Sequence, residues 1–280
     1  MKYLFIDENR KQYPVRMLCS MLGVSCSGYY CWSSRKRDRD KELTPHIQRA
    51  YEESKGCYGV RRVWRSLHMQ GIHCGRNRVA RIMRNLGIVA KSKRKFRLQV
   101  SADHTLPAAS NILDREFGVS LPDRAWVTDI TCIWTRSGVL YLACVMDLGT
   151  RRIVGWSMGE SPRSGLVVDA IKMAIEQRRP SRGMVVHSDR GSQYSSRAYR
   201  SIIESHGLII SMSGKGKCYD NAVMESFFAT LKTELLPDKP WHTYNEARIQ
   251  LYGYIELFYN RERIHSSLGY NSPAIYEASF

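Results

Sequence analysis

The chain has 280 residues and a mass of 32.3 kDa, with 43% hydrophobic and 25% charged residues, the composition of a folded intracellular protein. Its formal net charge is +17, and no stretch reaches the roughly 18 uninterrupted apolar residues that a membrane-spanning helix needs. The N-terminal residues meet acidic side chains too early for a secretory signal. These counts argue against membrane, secreted, collagenous and disordered proteins.

The eight cysteines form no Cys-x-x-Cys pair and no Cys/His spacing typical of a zinc site. A disulfide framework is not expected in a chain of this length without an export signal. We therefore predict reduced thiols in a cytoplasmic protein.

The positive charge is concentrated in the first part of the chain. Residues 1–100 contain 23 Lys and Arg against 7 Asp and Glu, whereas residues 101–280 contain 20 and 19. Such a field favours a polyanionic partner, because each cation that meets a phosphate releases condensed counterions. The pattern predicts nucleic-acid binding; a solvated basic surface is the alternative, and charge alone does not separate DNA from RNA.

The first predicted domain, residues 1–37, is a small helix-turn-helix-like segment. Apolar spacing over residues 15–32 predicts a short helix, a turn at Gly23 and a second helix whose N-cap is Ser25. Residues 35–41 alternate in charge and are predicted to form a solvated link.

The second predicted domain, residues 44–100, is a basic helical DNA-binding domain. A helix is expected to begin with Thr44 as cap and Pro45 in its first turn, and the last helix is expected from Arg76 to Leu86. That last helix could enter a major groove; three-helix packing without DNA is the alternative. The side chains predicted to contact DNA in this domain are Arg61, Arg62, Arg76, Asn77, Arg78, Arg81, Lys93, Arg94 and Lys95.

After a predicted linker over residues 101–121, the pattern changes from helical to strand-like. Residues 122–237 predict a three-stranded antiparallel meander followed by alternating helices and strands, in the order βββαβαβα. The predicted fold class is α/β, a mixed five-stranded sheet with flanking helices, preceded by the all-α region. Residues 238–280 are predicted to form a C-terminal helical segment.

Three acidic residues of this region occupy unusual positions. Asp129 lies in the middle of the first strand, Asp189 follows an apolar strand, and Glu225 lies on the last helix of the core. Buried carboxylates are costly unless they share protons or bind a cation, and hard ions such as Mg²⁺ prefer oxygen ligands. Taken singly, Asp189 could instead cap a helix and Glu225 could be a surface residue.

The spacing of these acids strengthens the metal interpretation. Asp189 and Glu225 have 35 residues between them, and Lys232 follows Glu225 by seven, two helical turns along one face. Further motifs lie at residues 22–32, 58–62, 126–131, 187–194, 218–222, 225–228 and 259–265. In these features the chain resembles the DDE transposases and retroviral integrases, and more closely the orfB product of the third insertion-sequence family.

The resemblance implies a ribonuclease-H-like core that uses two Mg²⁺ ions, with Mn²⁺ as a substitute. The resemblance implies that the catalytic metal ligands are Asp129, Asp189 and Glu225. It also implies that Lys232 would contact DNA near the cut. The implied activity is cleavage of DNA at insertion-sequence ends followed by strand transfer. A solvated helix lysine is the alternative for Lys232.

The implied partner is double-stranded DNA, both the inverted-repeat ends and the target. The resemblance also implies assembly of several copies on DNA, and a partner or fused segment encoded by an upstream reading frame; no membrane is involved. Lys215 and Lys217 are predicted to touch DNA from a glycine-rich loop. Arg261 and His265 are predicted to share a helical face, where they either serve the active site or pair with nearby acids.

Two further residues are assigned structural roles. His187 is predicted to be a strand-face residue and not a base, because adjacent residues of a strand point to opposite faces, so His187, Ser188 and Asp189 cannot form a hydrolase relay. Asp147 is predicted to be a turn residue. Two rival functions stay open at this point: a ribonuclease-H-type nuclease that does not join strands, and a catalytically dead DNA-binding regulator.

Overall fold

The computed structural model describes residues 1–91, 121–214 and 221–280, with the side chains of residues 35–39 left aside. The chain divides into two compact units, Met1–Lys91 and Ser92–Phe280. The finer domain boundaries stay predictions. No helix in the described ranges is both long and apolar enough to cross a membrane.

The first unit is helical. Its described helices are α1 (Lys2–Asn9), α2 (Val15–Met21), α3 (Cys26–Glu53), α4 (Val60–Met69) and α5 (Arg76–Asn85). The predicted turn at Gly23 is confirmed, with a φ of 62° that glycine adopts without strain. The predicted N-cap is also confirmed, since the backbone N–H of Gly28 donates to Ser25 Oγ over 2.9 Å.

Helix α3 corrects two predictions. It runs unbroken through the predicted charged link and past the predicted helix start at Thr44, with Pro45 inside it. Leu43, Ile47 and Ala50 are buried, so one apolar stripe continues across the proline. The burial of this stripe outweighs the backbone hydrogen bond that a proline removes from a helix interior. The link and the helix start at Thr44 are therefore wrong.

Helices α4 and α5 confirm the predicted helical pair. The buried side chains are Val63 and Leu67 on α4, and Val79, Ile82 and Met83 on α5. Each set recurs at intervals of three or four residues, so both helices turn one apolar stripe toward the interior of the unit.

The second unit contains a five-stranded mixed sheet, as predicted. Its strands are β1 (Ala125–Thr135), β2 (Gly138–Asp147), β3 (Ile153–Gly159), β4 (Val185–Ser188) and β5 (Ile209–Met212). They lie in the order β3-β2-β1-β4-β5. The meander β1–β2–β3 is antiparallel, whereas β4 pairs in parallel with β1 and β5 in parallel with β4. The sheet and its flanking helices form the ribonuclease-H-like arrangement.

Helices flank this sheet. They are α6 (Ser164–Arg178), α7 (Arg197–Ser205), α8 (Ala222–Leu235), α9 (Tyr244–Tyr252) and α10 (Pro273–Glu277), with a π-helical segment at Gly253–Tyr259 and a 3₁₀ turn at Ser266–Leu268. Helix α6 packs on β2 and β3, α7 on β5, and α8 on β1. The main apolar core lies under α6 and α7 and includes Trp126, Ile171 and Tyr194.

A side chain of the C-terminal segment pairs with the backbone of the edge strand β3. Asn260 Oδ1 accepts from the backbone N–H of Ile153, and Asn260 Nδ2 donates to the Ile153 carbonyl, each over 2.9 Å. The amide thus pairs with the first residue of β3 as a neighbouring strand would. The helix predicted through Arg261 and His265 is wrong, because the π-helical segment ends at Tyr259 and the chain turns there.

We expect Asn260→Ala to lower the free energy of unfolding by about 3 kcal/mol, because it leaves two buried backbone groups of Ile153 without partners. Urea unfolding of the whole chain measures the change. Asn245→Ala, at an exposed position of α9, is the control. Equal stabilities of the two variants would contradict the role given to Asn260.

Candidate active site

The pairing of β1 with β4 brings two of the predicted acids together. Thr128 lies opposite Ser188 in the last pair of this parallel ladder. Asp129 directly follows Thr128, and Asp189 directly follows Ser188. In-register parallel neighbours lie roughly 4.8 Å apart and project to the same face. Strand alternation places Asp129 away from Trp126, which belongs to the core under α6.

The electrostatics of Asp129 show how close the charges lie. Burial, together with the negative charges of Asp189 and Glu225, raises the pKa of Asp129 to about 8. A hydrogen bond of 2.8 Å from the backbone N–H of Ile130 and the positive charge of Lys232 act in the opposite direction. Three acids therefore share one electrostatic environment.

Helix α8 supplies the third acid and the lysine. Glu225 lies in its first turn and is exposed, and Lys232 lies two turns later and is half-buried. Burial lowers the pKa of Lys232, while Cys132 and Asp129 raise it in opposition. Met224, Phe227 and other apolar residues of α8 are buried, which fixes the opposite side of the helix on the protein.

Two residues around the acids escape prediction from the sequence as site residues. Asn221, immediately before α8, is buried and its Nδ2 donates to the Thr128 carbonyl over 3.3 Å. The Tyr194 hydroxyl lies 3.3 Å from Thr128 Oγ1, and burial raises the pKa of Tyr194, with smaller effects from Asp129 and Asp189. The sequence signal for each residue is its motif: Tyr194 shares the motif 187–194 with Asp189, and Asn221 belongs to the motif 218–222 that precedes Glu225.

Asp189 has a local constraint of its own. Its Oδ1 accepts from the backbone N–H of Gly191 over 2.8 Å. A Cβ on Gly191 would lie 2.9 Å from that oxygen, closer than carbon normally approaches, so a side chain at position 191 would displace the Asp189 carboxylate. His187 is buried between Ser211 and Ser213, with ring nitrogens 2.9 and 3.2 Å from their hydroxyls, as expected of a strand-face residue. Asp147 is confirmed as a turn residue, since it accepts from Thr150.

The donor chemistry of this site suits a hard divalent cation. Its carboxylate oxygens are the ligands that Mg²⁺ prefers, and a cation would relieve the repulsion that raises the pKa of Asp129. Within the described part of the chain, no three Asp, Glu, His or Cys side chains are grouped closely enough to hold an ion as they stand. The detailed geometry of the ion site therefore stays a prediction.

Comparison with known proteins identifies the family. Residues 120–218 and 206–273 match two family models, each described as an integrase core domain, and residues 37–96 match a model described as an HTH-like domain. The chain is 43% identical over 267 residues to an insertion element IS600 uncharacterized 31 kDa protein of Shigella sonnei, covering 94% of this chain and 98% of that protein. It is 38% identical over 283 residues to the transposase InsF for insertion sequence IS3A of Escherichia coli strain K12, covering 99% and 98%. The chain belongs to the InsF family of insertion-sequence transposases.

Solved integrase structures are among the matches of this transposase. A simian T-cell lymphotropic virus intasome in complex with the PP2A regulatory subunit B56 gamma matches with a TM-score of 0.46 and 17% identity, over 75% of this chain and 68% of that chain. The HTLV-2 integrase catalytic core domain in complex with magnesium, in its dimeric form, matches with a TM-score of 0.40 and 17% identity, over 53% and 93%.

The predicted DNA contacts of the helical unit separate into two groups. Arg61, Arg76 and Asn77 are exposed. Arg78 and Arg81, which the sequence places on the same outer face, instead pair with Asp40 of α3: Arg78 Nε lies 3.0 Å from Oδ1 and Arg81 NH1 lies 2.7 Å from Oδ2. Both arginines are only partly exposed, 30% for Arg78 and 32% for Arg81, and their contact with DNA stays a prediction.

The Asp40 contact replaces solvent as the partner of both arginines. Burial alone would raise the pKa of Asp40, but hydrogen bonds from Arg81 and Arg78 outweigh burial and hold this pKa below its usual value. Arg62 stacks over the ring of Tyr58, 5.8 Å from its centroid.

The remaining predicted contacts divide by region. Lys93, Arg94, Lys95, Lys215 and Lys217 lie outside the described residues. Arg261 is exposed in the turn after the π-helical segment, and His265 packs edge-on against Tyr259 with ring centroids 4.8 Å apart.

The raised pKa of Asp129 predicts a pH dependence of stability without divalent ions. Because the folded-state pKa of about 8 lies above the ordinary 3.8, the folded protein holds this proton more tightly than the unfolded chain. The favourable contribution of Asp129 is complete below pH 4 and is lost as the pH rises to about 8.

We therefore expect Asp129→Asn, in EDTA, to match the wild type near pH 4 and to exceed its free energy of unfolding by about 1–3 kcal/mol at pH 9. Urea unfolding across this range measures the difference. Asp169→Asn, exposed on α6, is the control and should parallel the wild type. An Asp129→Asn curve parallel to the wild type would contradict the electrostatic description of the site.

Proposed function

We propose that this transposase cleaves DNA at the ends of its insertion sequence and joins the freed 3′ end to target DNA, using Asp129, Asp189 and Glu225 as its catalytic carboxylates. The observation that carries the proposal is that Asp129 and Asp189 each directly follow the last in-register pair of the β1–β4 ladder, Thr128 and Ser188. The charges of Glu225 and Lys232 on α8 act on the same carboxylate.

The three carboxylates would hold divalent metal ions, Mg²⁺ or its substitute Mn²⁺. When bound, a pair of such ions activates an attacking oxygen and stabilises a leaving oxygen in an in-line displacement at phosphorus. The protein contributes the position of the oxygens. The ladder fixes Asp129 and Asp189, the Gly191 N–H orients Asp189, and α8 presents Glu225.

Binding of a cation requires Asp129 to lose its proton. With a pKa raised to about 8, this carboxyl is largely protonated at neutral pH until a positive charge arrives. Lys232 supplies a positive charge that acts on Asp129 and would neutralise a DNA phosphate beside the acids. The exposed Arg61, Arg76 and Asn77 of the HTH-like region would hold the duplex.

Two rival functions make different predictions. A ribonuclease-H-type nuclease would give shortened DNA and never a joined product. A DNA-binding regulator with a relic core would bind insertion-sequence ends and leave them intact. Incubation of labelled ends with the protein and Mg²⁺ separates the three, because only a transposase yields joined species.

We expect Asp129→Asn, Asp189→Asn and Glu225→Gln each to reduce end cleavage by about a thousandfold or more, since each removes a charged ligand from the reacting centre. End affinity measured by gel shift without metal should change by less than about twofold. Asp169→Asn is the matched control. Cleavage that survives in all three variants would overturn the assignment of these acids.

The two groups of basic residues on α5 should respond differently. Arg76→Ala, at an exposed position, should weaken end binding about fivefold to tenfold and leave the melting temperature unchanged. Arg81→Ala should lower the free energy of unfolding by about 1 kcal/mol, because it breaks the partly exposed pair with Asp40.

Thermal melts and fluorescence-anisotropy titrations at several salt concentrations measure these effects. Wild-type end affinity should fall steeply with salt. A flat salt response would contradict a phosphate-binding role for the basic unit, and an unchanged melting temperature of Arg81→Ala would contradict the importance of its pair.

A further inference from the structure

Helix α8 carries Glu225 and Lys232 and ends in a buried ion pair that the proposed chemistry does not use. Glu234, nine residues after Glu225, lies in the last turn of α8 and pairs with Arg263. The two side chains are only 6% and 4% exposed. Arg263 Nε donates to Glu234 Oε2 and Arg263 NH2 donates to Oε1, each over 2.7 Å, so the pair is bidentate.

Three further side chains contact the Glu234–Arg263 pair. The Tyr254 hydroxyl, on the π-helical segment, donates to Glu234 Oε2 over 2.8 Å. The guanidinium of Arg263 lies over the ring of Tyr259, 5.8 Å from its centroid, and Arg263 NH1 lies 3.2 Å from His265 Nε2. Arg263 can only donate, so His265 Nε2 accepts and the proton of a neutral ring is on Nδ1. The cluster therefore joins α8 to the chain on both sides of the turn after Tyr259.

A buried ion pair of this kind is poorly explained by stability alone. The desolvation of two charges consumes most of their attraction, and apolar residues of similar volume often stabilise a fold as well or better. What the bidentate pair adds is direction, because two parallel hydrogen bonds restrict the rotation and axial position of α8. The apolar face at Phe227 and Leu231 is less directional.

The rotation of α8 decides where Glu225 lies. A side-chain oxygen stands roughly 6 Å from a helix axis, so a rotation of about 20° displaces it by about 2 Å. Displacements of about 1 Å at a reacting centre can reduce rates about a hundredfold. Glu225 is exposed in the first turn and depends on the rest of α8 for its placement.

We propose that Glu234 and Arg263 are positioning residues that fix the rotation of α8 and so place Glu225 and Lys232 beside Asp129 and Asp189. This inference rests on the proposed function of the acids. It assigns a role in metal binding to two residues remote from the ion site and embedded in the protein.

The test replaces the pair by apolar side chains of similar volume, Glu234→Leu with Arg263→Met. We expect this variant to melt near the wild type, to bind insertion-sequence ends within about twofold of the wild type, and to bind Mn²⁺ at least about tenfold more weakly by calorimetry without DNA. Cleavage at saturating DNA should fall by about thirtyfold and recover in part at high Mn²⁺.

The matched control is the exposed pair of the helical unit, Arg49 and Glu53, whose Nε and Oε1 lie 2.7 Å apart. Arg49→Met with Glu53→Leu removes the same chemical groups and should leave Mn²⁺ affinity unchanged. A Glu234→Leu, Arg263→Met variant that folds and matches the wild type in Mn²⁺ affinity and cleavage overturns the inference. Failure of the wild type itself to bind Mn²⁺ and cleave would instead overturn the proposed function.

If the apolar variant does not fold, Arg263→Lys decides the question. It keeps the buried positive charge beside Glu234 but cannot form the fork of two parallel hydrogen bonds. Weakened Mn²⁺ affinity at an unchanged melting temperature supports the positioning role. Wild-type Mn²⁺ affinity and cleavage in Arg263→Lys overturn it, and so does a loss of stability without loss of Mn²⁺ affinity.

Discussion

Repulsion between the carboxylates of the candidate active site is the constraint on which the structure of the second unit depends. Parallel pairing of β1 with β4 leaves Asp129 and Asp189 as neighbours, and burial together with the charges of Asp189 and Glu225 raises the pKa of Asp129 to about 8. Such an arrangement is unfavourable in isolation, because ionised groups are brought together away from water. It persists because the ladder and the core under α6 fix the strands independently of the acids.

Acids elsewhere in the chain show what a carboxylate with a purely structural role looks like. Asp147 accepts hydrogen bonds from the backbone N–H groups of Thr150 and Asp123 and from the Thr150 hydroxyl. Asp40 accepts from two arginines, and its pKa is held below the usual value. Asp129 differs, since two of the groups that act on its pKa are other acids. Of these three acids, only Asp129 has the surroundings that the proposed metal site requires.

The sequence predicts the parts of this protein that depend on local pattern. The strand meander, the two later strands and α8 follow from periodicity, and the spacing from Asp189 to Glu225 and Lys232 marks the acids. Local rules fail where packing decides. Pro45 has the signature of a helix start, yet the apolar stripe of α3 passes through it.

Pairings between distant residues lie beyond such rules. Arg78 and Arg81 belong to the outer face of α5 by periodicity, but Asp40 meets them from α3, about 40 residues earlier in the chain. Glu234 and Arg263 are 29 residues apart with a π-helical segment and a turn between them, so no helical spacing relates them. Arg263 lies inside a motif of the sequence, whereas the neighbouring Arg261 is the residue expected to act there.

Under the proposed role of Arg263, the C-terminal segment supports the candidate active site. Asn260 completes the hydrogen bonding of β3, three residues before Arg263 secures the end of α8. One short stretch of chain thus contacts both the sheet that carries Asp129 and the helix that carries Glu225. Because the acids repel one another, attraction between them cannot set their separation, and the protein must fix it through elements that do not touch the reacting centre. Asn260 and Arg263 are placed to do this for the sheet and the helix respectively.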